Sequence, residues 1–567
     1  MVRKIRKRLG EMLVEEGLLT EEVLGQALKD ARESGLRLGD FLLEKKIVTE
    51  NQIVDLLSDQ LQIKKFDPND YEISTELAAI IPNDLASKHQ LVPLVKDDFV
   101  LTVTMVDPMD VNALDFIEKY VDMEVEPTIC TKSQLTLLMN GIYGIRSAVS
   151  DVLDDLDEDL DVAEDDDLNK GGDVSDLHDM ADAAPVIRLV NSILRQAVNE
   201  KASDIHISPE KDRASVRMRI DGELHEVPPP PRATLAGIVS RIKILANMDI
   251  TNTRIPLDGR FNIQVDNQEV SLRVSTLPTI YGENMVMRLL FVSAGSLPLE
   301  DLGLLEPDYD EIIRLSKQPY GMILSTGPTG SGKSSTLYAI LRKTISPEVN
   351  VITLEDPVEY RMSGARQVQL NVKAGMTFAS GLRSILRQDP DIIMVGEIRD
   401  GETANISTQA ALTGHLVLST LHTNDSASSV TRLQNMGVEP FLISASLLGV
   451  CAQRLLRRSC GYCAETFTPT PAQLAYWGLP AGIMADFKKG CGCTYCMKSG
   501  YKGRMGIYEV LSVDDMVRDM VISNASSTEI SKAMCDAGKL KLLKDIALLK
   551  VMEGQTTFEE AAKTVIV

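Results

Sequence analysis

A phosphate-binding loop constrains this chain more than any other feature of its sequence. The residues from Gly327 to Ser334 read G-P-T-G-S-G-K-S and match the pattern G-x-x-x-x-G-K-[ST]. They follow an apolar run, Gly321–Thr326, and precede a stretch that favours helix, Thr336–Lys343. A glycine-rich turn between a strand and a helix lets backbone N–H groups surround a triphosphate. The pattern therefore predicts a nucleotide-binding site and a nucleotide hydrolase.

Within this loop, Lys333 is placed to reach the β- and γ-phosphates, and the Ser334 hydroxyl is placed to bind Mg²⁺. The predicted nucleotide-binding residues are Gly327, Pro328, Thr329, Gly330, Ser331, Gly332, Lys333, Ser334 and Ser335. The alternative is a glycine-rich turn that matches the pattern by chance. We favour the nucleotide site because all four fixed positions are filled between a strand and a helix.

Charge is distributed unevenly along the chain. Its length of 567 residues suggests about three to four domains, and its net charge is -23. Residues 151–182 contain 15 Asp or Glu and only Lys170 against them. We expect residues 146–184 to form an acidic flexible linker, because so few apolar residues cannot offset the entropy of ordering; a transient acidic helix is the alternative. A nucleic-acid motor is disfavoured, since neutralising phosphates requires a basic surface.

Hydropathy and cysteine usage both indicate a reducing, cytoplasmic setting. No apolar stretch approaches the ~20 residues needed to span a bilayer. The pairs Cys460-x-x-Cys463 and Cys493-x-x-Cys496 offer four thiolates, which suit a closed tetrahedral Zn²⁺ site. A redox pair or free thiols are the alternatives, and Cys491 competes with Cys493 as a ligand.

Alternating strand-like and helical runs predict several domains. We expect a helical repeat over 1–62, a small α/β unit over 63–145, a second α/β domain over 185–298 and a nucleotide-binding core over 299–567, with the zinc-binding insertion at about 457–503. The predicted core strands are Met322–Thr326, Val349–Leu354, Ile392–Val395 and Leu416–Leu421. Because helical segments separate them, they predict a mainly parallel sheet with helices on both faces.

Acidic residues follow two of these strands. Glu397 lies two residues beyond Val395, where one of them ends, and is the candidate Walker B acid, which holds Mg²⁺ or its water. Glu355, Asp356 and Glu359 follow another. Carboxylates this close repel one another unless a cation or a water-polarising role compensates, so they predict function. A capping cluster for the next segment is the alternative.

Two histidines flank the strand Leu416–Leu421. His422, at its carboxyl end, can sense a γ-phosphate through a hydrogen bond and transmit its presence to neighbouring elements. His415, next to Gly414, better fits a structural role.

Taken together, the motifs resemble those of the secretion and pilus assembly ATPases. The resemblance is carried by G-P-T-G-S-G-K-S, T-L-E-D-P-V-E, R-Q-D-P-D-I-I-M-V-G-E-I-R-D, T-G-H-L-V-L-S-T-L-H-T-N-D and A-S-D-I-H-I, and it covers residues 185–567 almost continuously. Type II secretion and type IV pilus extension ATPases are the most similar groups. The resemblance implies an α/β multidomain fold, in which a RecA-like P-loop ATPase core follows a small PAS-like α/β domain and an N-terminal regulatory domain. It also implies a hexameric ring in which ATP turnover moves one domain against the next.

The same resemblance implies roles for individual residues. Glu359 and Glu355 are candidates for polarising the attacking water, and the sequence leaves open which of them acts as the base. His422 is implied as the γ-phosphate sensor. Arg273 and Arg288 match the arginines that reach toward the nucleotide from the preceding domain; surface ion pairs are the alternative. At Thr253 this chain departs from the pair of arginines that its relatives usually carry.

A repeat with a 29-residue offset occupies the amino terminus. Its two copies begin with Arg8-Leu9-Gly10 and Arg37-Leu38-Gly39, and they resemble the tandem cyclic-di-GMP-binding motif found in some of these ATPases. The first copy has Ala31 where the motif has Gln, and the second has Lys46 where it has Gly. Cyclic-di-GMP binding and a helical module that docks on a membrane-bound partner are both open interpretations.

From these observations we expect a cytoplasmic homohexamer that uses ATP, Mg²⁺ and structural Zn²⁺. It would be recruited to the inner membrane by platform and scaffold proteins, to drive assembly of a type II secretion pseudopilus or a type IV pilus. No nucleic acid is expected as a partner. The competing hypotheses are a DNA-uptake or translocation motor and a regulatory nucleotide-binding scaffold with little turnover.

Overall fold

The structure is a computed structural model, and it describes residues 9–34, 38–45, 47–68, 70–71, 77, 80–97, 99–143, 183–265, 268–291 and 297–565. The predicted acidic linker lies almost wholly outside these ranges. Contacts divide the chain into two compact units. Most of the first unit precedes Gly259, whereas the second contains Arg260–Arg273 and most of the chain from Arg288 onward. None of the helices in the described ranges combines the length and apolar character needed to cross a membrane.

The amino-terminal repeat forms two helical hairpins. Their helices are α1 (Leu9–Glu15), α2 (Glu21–Ser34), α3 (Leu38–Glu44) and α4 (Glu50–Leu61). Leu13 and Leu42, which the repeat places at equivalent positions, are both fully buried in one apolar cluster. A Cβ added at Gly10 would lie 2.7 Å from Leu24 Cδ1, so this glycine permits close helix packing. The repeat in the sequence therefore corresponds to a repeat in the structure.

A small α/β unit follows the repeat. It contains α5 (Asn83–His89), β1 (Leu91–Lys96), β2 (Val100–Met105), α6 (Val111–Val121), β3 (Glu124–Ile129) and α7 (Lys132–Tyr143). The strands form a sheet in the order β1-β2-β3, antiparallel between β1 and β2 and parallel between β2 and β3. In the described residues, this part of the chain therefore contains both short strands and helices.

The next region is built on a sheet in the order β6-β5-β4-β9-β8-β7. Its elements are α8 (Ala184–Asn199), β4 (Asp204–Pro209), β5 (Ala214–Ile220), β6 (Glu223–Val227), α9 (Leu235–Leu245), β7 (Leu257–Val265), β8 (Gln268–Thr279) and β9 (Gly282–Phe291). Helix α8 buries Val186, Leu189, Val190 and Ile193, which recur at helical spacing on one face. Pro185 lies in its first turn, where the missing N–H costs nothing.

The nucleotide-binding core is built on a sheet in the order β12-β11-β13-β14-β10-β15-β18. Its strands are β10 (Gly321–Thr326), β11 (Val351–Glu355), β12 (Ala365–Gln369), β13 (Ile392–Val395), β14 (Leu416–Leu421), β15 (Leu447–Ser459) and β18 (Tyr501–Ser512). All neighbouring pairs are parallel except β15 with β18. The prediction of a mainly parallel sheet is confirmed. In such sheets the carboxyl ends of the strands meet at one edge, where ligands bind.

Helices cover this sheet and form the rest of the core. They are α10 (Glu306–Ser316), α11 (Lys333–Thr344), α12 (Phe378–Ile385), α13 (Gly401–Leu412), α14 (Ser428–Asn435), α15 (Pro440–Ser446), α17 (Asp515–Ile522), α18 (Ser527–Asp536), α19 (Leu543–Met552) and α20 (Phe558–Val565). Between β15 and β18 lie β16 (Ala464–Thr466), α16 (Pro471–Tyr476) and β17 (Lys488–Gly490). Strands β10 and β14 are buried along their whole length, as expected for strands covered on both faces.

Candidate active site

The phosphate loop connects the end of β10 with the start of α11, as the sequence predicts. Gly327, Gly330 and Gly332 have φ values of 147°, 78° and 90°, a backbone region that other residues rarely adopt. A side chain at Gly327 would also collide with its surroundings, since an added Cβ would lie 2.6 Å from Gln453 O. The glycines are therefore required by the shape of the loop, which leads into the amino terminus of a twelve-residue helix.

Lys333 bends back over the loop that precedes it. Its Nζ donates to the carbonyl oxygens of Gly327, at 2.8 Å, and Pro328, at 3.0 Å. Burial lowers the pKa of this ammonium, and the nearby Glu397 carboxylate opposes that change. To bind a phosphate, Lys333 would exchange its neutral carbonyl partners for a negatively charged oxygen. A hydrogen bond between two charged groups is stronger than one to a neutral carbonyl.

Glu355 and Glu359, the two candidate bases, have different surroundings. Glu355 is the last residue of β11 and is 4% exposed. It accepts a hydrogen bond from Thr353 Oγ1 at 2.6 Å. Glu359 lies in the loop beyond β11, where burial raises the pKa of its carboxyl group, while Arg273 and a hydrogen bond with Ser334 oppose the rise. Glu359 thus lies beside the hydroxyl that we predict to bind Mg²⁺.

Glu397 follows β13, and the side chains of Arg399 and His422 lie close to its carboxylate. Arg399 forms an ion pair with it, and His422 Nε2 lies 3.7 Å from its Oε2. Burial lowers the pKa of His422, and the charge of Lys333 adds to that effect. The structure therefore places Lys333, Glu397 and His422 within electrostatic reach of one another, although they come from three separate motifs.

Arg273 lies near the candidate bases. Burial lowers the pKa of its guanidinium, whereas the charges of Glu359 and Asp356 raise it. Arg288 is exposed and also acts electrostatically on Glu359. The positive charges of both arginines therefore lower the pKa of the Glu359 carboxyl group, which lies beside Ser334.

Two arginines that border this site are not among the residues predicted from the sequence. Arg399 pairs with Glu397, and Arg454 donates to the carbonyl oxygen of Asn424 at 2.9 Å. Arg399 could have been found from its place in the motif G-E-I-R-D, whereas Arg454 lies outside the motifs and is brought to Asn424 by the fold. His415, by contrast, has its Nδ1 2.9 Å from Ala410 O, which fits the structural role that the sequence predicts.

The four predicted zinc ligands lie together in the structure. Ligand atoms of Cys460, Cys463, Cys493 and Cys496 are all within 4.8 Å of one another, and all four residues are buried. Tetrahedral Zn²⁺ with bonds of about 2.3 Å separates its sulfur ligands by about 3.8 Å. Sγ atoms of Cys493 and Cys496 are 3.8 Å apart, so these residues fit the ion. Cys491 is exposed and lies outside the cluster.

The amino-terminal motif is described only in part. Arg8, Arg37 and Lys46 lie outside the described residues, as does the side chain of Leu9. Gly10, Leu38 and Gly39 belong to α1 and α3. Ala31, which stands where the cyclic-di-GMP motif has Gln, is buried against the apolar cluster of the helical hairpins.

The family to which this chain belongs is shown by matches to known protein families. Residues 179–563 match the family described as type II/IV secretion system protein. The chain belongs to this family. Residues 61–149 match a second family, the MshEN domain, and this match begins at the end of the Arg-Leu-Gly repeat.

Similarity to individual relatives extends over most of the chain. The type IV pilus assembly ATPase PilB of Myxococcus xanthus is 39% identical over 558 residues, which cover 98% of this chain and 98% of that protein. The type II secretion system ATPase E of Vibrio cholerae is 41% identical over 489 residues, which cover 85% of this chain and 96% of that protein.

The fold is also found in a solved structure. The ATPase DotB of Yersinia pseudotuberculosis aligns with a TM-score of 0.50 and 19% identity, over 66% of this chain and 92% of that one. At this identity the likeness shows the fold alone. It agrees with the predicted α/β architecture of the core.

Proposed function

We propose that this protein hydrolyses ATP to ADP and phosphate, and that turnover drives assembly of a type IV pilus or a type II secretion pseudopilus. Its family and its 39% identity to a pilus assembly ATPase over 98% of both chains support this function. The observation that carries the proposal is the position of two carboxylates beside one phosphate loop: the charge of Glu397 acts on Lys333, and Glu359 forms a hydrogen bond with Ser334. Three motifs that are distant in sequence thus meet where a γ-phosphate would lie.

Each residue of the site has a distinct task. The N–H groups of the loop and Lys333 hold the β- and γ-phosphates. Ser334 and Glu397 are the residues that would hold Mg²⁺ or its water, and the ion, when bound, neutralises charge on the transferring phosphoryl group. Glu359 orients and deprotonates the attacking water, with Glu355 as the competing candidate.

Two further groups respond to the terminal phosphate. His422 is neutral near pH 7, because burial lowers its pKa, so it can donate one hydrogen bond to the γ-phosphate. Arg273 and Arg288 supply positive charge where negative charge develops on the transferring oxygens. We place both arginines in the hydrolysis machinery.

We also propose the assembly in which this ATPase works. It forms a homohexamer on the cytoplasmic side of the inner membrane and is held there by platform and scaffold proteins of the secretion or pilus machine. The net charge of -23 supports protein partners over nucleic acid, which would need a basic surface. Zn²⁺, held by the four clustered cysteines, is structural, since no coordination position remains open for chemistry.

The amino-terminal repeat is proposed as a cyclic-di-GMP site, with the docking module as its competing role. Buried Ala31 supports the docking module, since it replaces a polar side chain of the motif with a core residue. Isothermal titration of the full chain with cyclic-di-GMP separates the two. Micromolar binding supports the dinucleotide, and no heat at micromolar ligand ends that proposal.

The proposed activity is tested by replacing the phosphate-binding lysine. Lys333→Ala should abolish turnover and leave the melting temperature nearly unchanged, because the hydrogen bonds described for Lys333 stay within its own loop. Lys343→Ala is the matched control, since Lys343 lies on the same helix and pairs with exposed Glu300. Unchanged hydrolysis in Lys333→Ala would show that the proposed site is wrong.

Two measurements on the wild type test the competing functions. Salt-dependent DNA binding would favour a DNA motor. Absence of turnover with membrane partners present would favour a scaffold.

A further inference from the structure

A buried glutamine lies directly behind the phosphate loop. Gln453 is on β15, which runs parallel to β10, and its side chain is 1% exposed. In the register of these strands, Thr326 at the end of β10 pairs with Ala452. Gln453 is therefore level with the first residue of the loop, at the point where β10 stops supporting the backbone.

The amide of Gln453 makes a hydrogen bond at each end. Its Oε1 accepts from Ser325 Oγ at 2.9 Å, and its Nε2 donates to the carbonyl oxygen of Ser331 at 2.8 Å. The orientation of the amide follows from chemistry, because a carbonyl oxygen can only accept. Gln453 thus joins the last turn of the loop to the strand that leads into it.

The loop is packed closely against this residue. A Cβ at Gly327 would lie 2.6 Å from the carbonyl oxygen of Gln453, and one at Gly332 would lie 3.1 Å from its Nε2. The backbone and side chain of Gln453 therefore occupy space on the side of the loop that faces β15. This contact needs glycine in the loop, in addition to the positive φ values at these positions.

A loop with three glycines has many accessible conformations, and only a few of them direct its N–H groups toward a phosphate. Holding the loop in one conformation before ligand arrives removes part of the entropic cost of binding. Since its amide is buried and bonded at both ends, Gln453 is suited to this task.

We propose that Gln453 is a positioning residue that fixes the phosphate loop in its nucleotide-binding shape by bridging Ser325 and Ser331. This inference rests on the proposed function, because it assigns a nucleotide to the loop. Gln453 acts through the loop backbone and takes no part in the chemistry. Replacing Gln453 should weaken nucleotide binding more than it lowers the rate of hydrolysis in the enzyme–nucleotide complex.

The test uses Gln453→Met in the full-length protein, which keeps the length of the side chain and removes both hydrogen bonds. We expect the Kd for MgADP and the KM for ATP to rise about tenfold, with kcat changed much less. Thr408→Val is the matched control. Thr408 is fully buried on α13 and donates to Ala404 O at 2.9 Å, so this variant also loses a buried hydrogen bond. It should lower the melting temperature without changing Kd.

A milder variant keeps the test decisive if Gln453→Met does not fold. Ser325→Ala removes one end of the bridge and should raise Kd by a smaller factor. If both groups act through one bridge, the double variant should bind little worse than Gln453→Met alone. An unchanged Kd in Gln453→Met, or in Ser325→Ala where only that variant folds, would overturn the inference. A wild type that does not bind MgADP would overturn the proposed function itself.

Discussion

Tyr338 donates a hydrogen bond from its hydroxyl to the carboxylate of Glu355, and both side chains are buried. The same carboxylate accepts from Thr353 and, at 3.2 Å, from Gln367 Nε2. These three donors lie on α11, β11 and β12, so the carboxylate of Glu355 links the three elements. This environment suits a structural carboxylate better than a base that must accept a proton from water.

We therefore expect Glu359 to be the residue that activates water. Glu359→Gln should lower kcat by about 100-fold or more, because a positioned general base contributes roughly 10²–10⁴-fold. ATP affinity should change little, since the amide keeps the size of the side chain. Steady-state hydrolysis and equilibrium binding of a non-hydrolysable ATP analogue measure the two effects separately.

Glu355→Gln provides the comparison. It replaces an acceptor oxygen with an NH₂ group that faces hydrogen-bond donors, so it should reduce the free energy of unfolding by about 1–3 kcal/mol. Thermal or urea unfolding checks this loss. Normal turnover in Glu359→Gln, together with an inactive Glu355→Gln of unchanged stability, would reverse the assignment.

The pH dependence of turnover should report the same carboxylate. Burial raises the pKa of Glu359 from the ordinary value of 4.5, and a base works only when deprotonated. Activity should therefore fall as pH decreases through this raised pKa, so the acidic limb of kcat/KM lies closer to neutrality than for an exposed glutamate. For stability the sign is opposite: a raised pKa favours the folded state at low pH, and that contribution is lost as pH rises. An acidic limb that persists in the residual activity of Glu359→Gln would contradict this account.

Arg273 is expected to act in the transition state. Arg273→Ala should lower kcat by about 10³-fold, the lower end of the effect of an arginine on phosphoryl transfer. Arg273→Lys should recover only part of this, because lysine keeps the charge and loses the planar fork of donors. Arg314→Ala is the control, since Arg314 makes an exposed ion pair with Glu311. Equal turnover in Arg273→Ala and wild type would assign Arg273 to surface electrostatics.

Local patterns were sufficient to predict the phosphate loop and four of the seven strands in the core sheet, but not β12, β15 or β18. The loop follows β10 and precedes α11, and the run Ile392–Val395 forms β13 with the bounds expected. These features depend on residues that are neighbours in sequence, so spacing and hydropathy reveal them. The same holds for the two C-x-x-C pairs, whose residue type and spacing suffice to suggest a metal.

Contacts between distant segments could not be predicted in this way. Gln453 meets Ser325 across 128 positions of sequence, and only the pairing of β10 with β15 brings them together. The different environments of Glu355 and Glu359 likewise depend on burial and on Arg273, which lies on another sheet. The sequence therefore offered both carboxylates as candidates, and the structure shows how their surroundings differ.

The metal centre gives the last prediction. Purified protein should contain about one equivalent of zinc, because four buried thiolates satisfy its preferred coordination. Backbone N–H groups of Gly492 and Cys493 point at Sγ atoms of the cluster, at 3.2 Å and 3.1 Å, and such bonds stabilise thiolates. Cys496→Ser should lose most of the metal and melt several degrees lower, since metal binding contributes to folding. Cys491→Ser, an exposed position two residues from Cys493, should keep it. Metal analysis of both variants tests the ligand set. Zinc lost from Cys491→Ser and kept in Cys496→Ser would mean that the proposed ligand set is wrong.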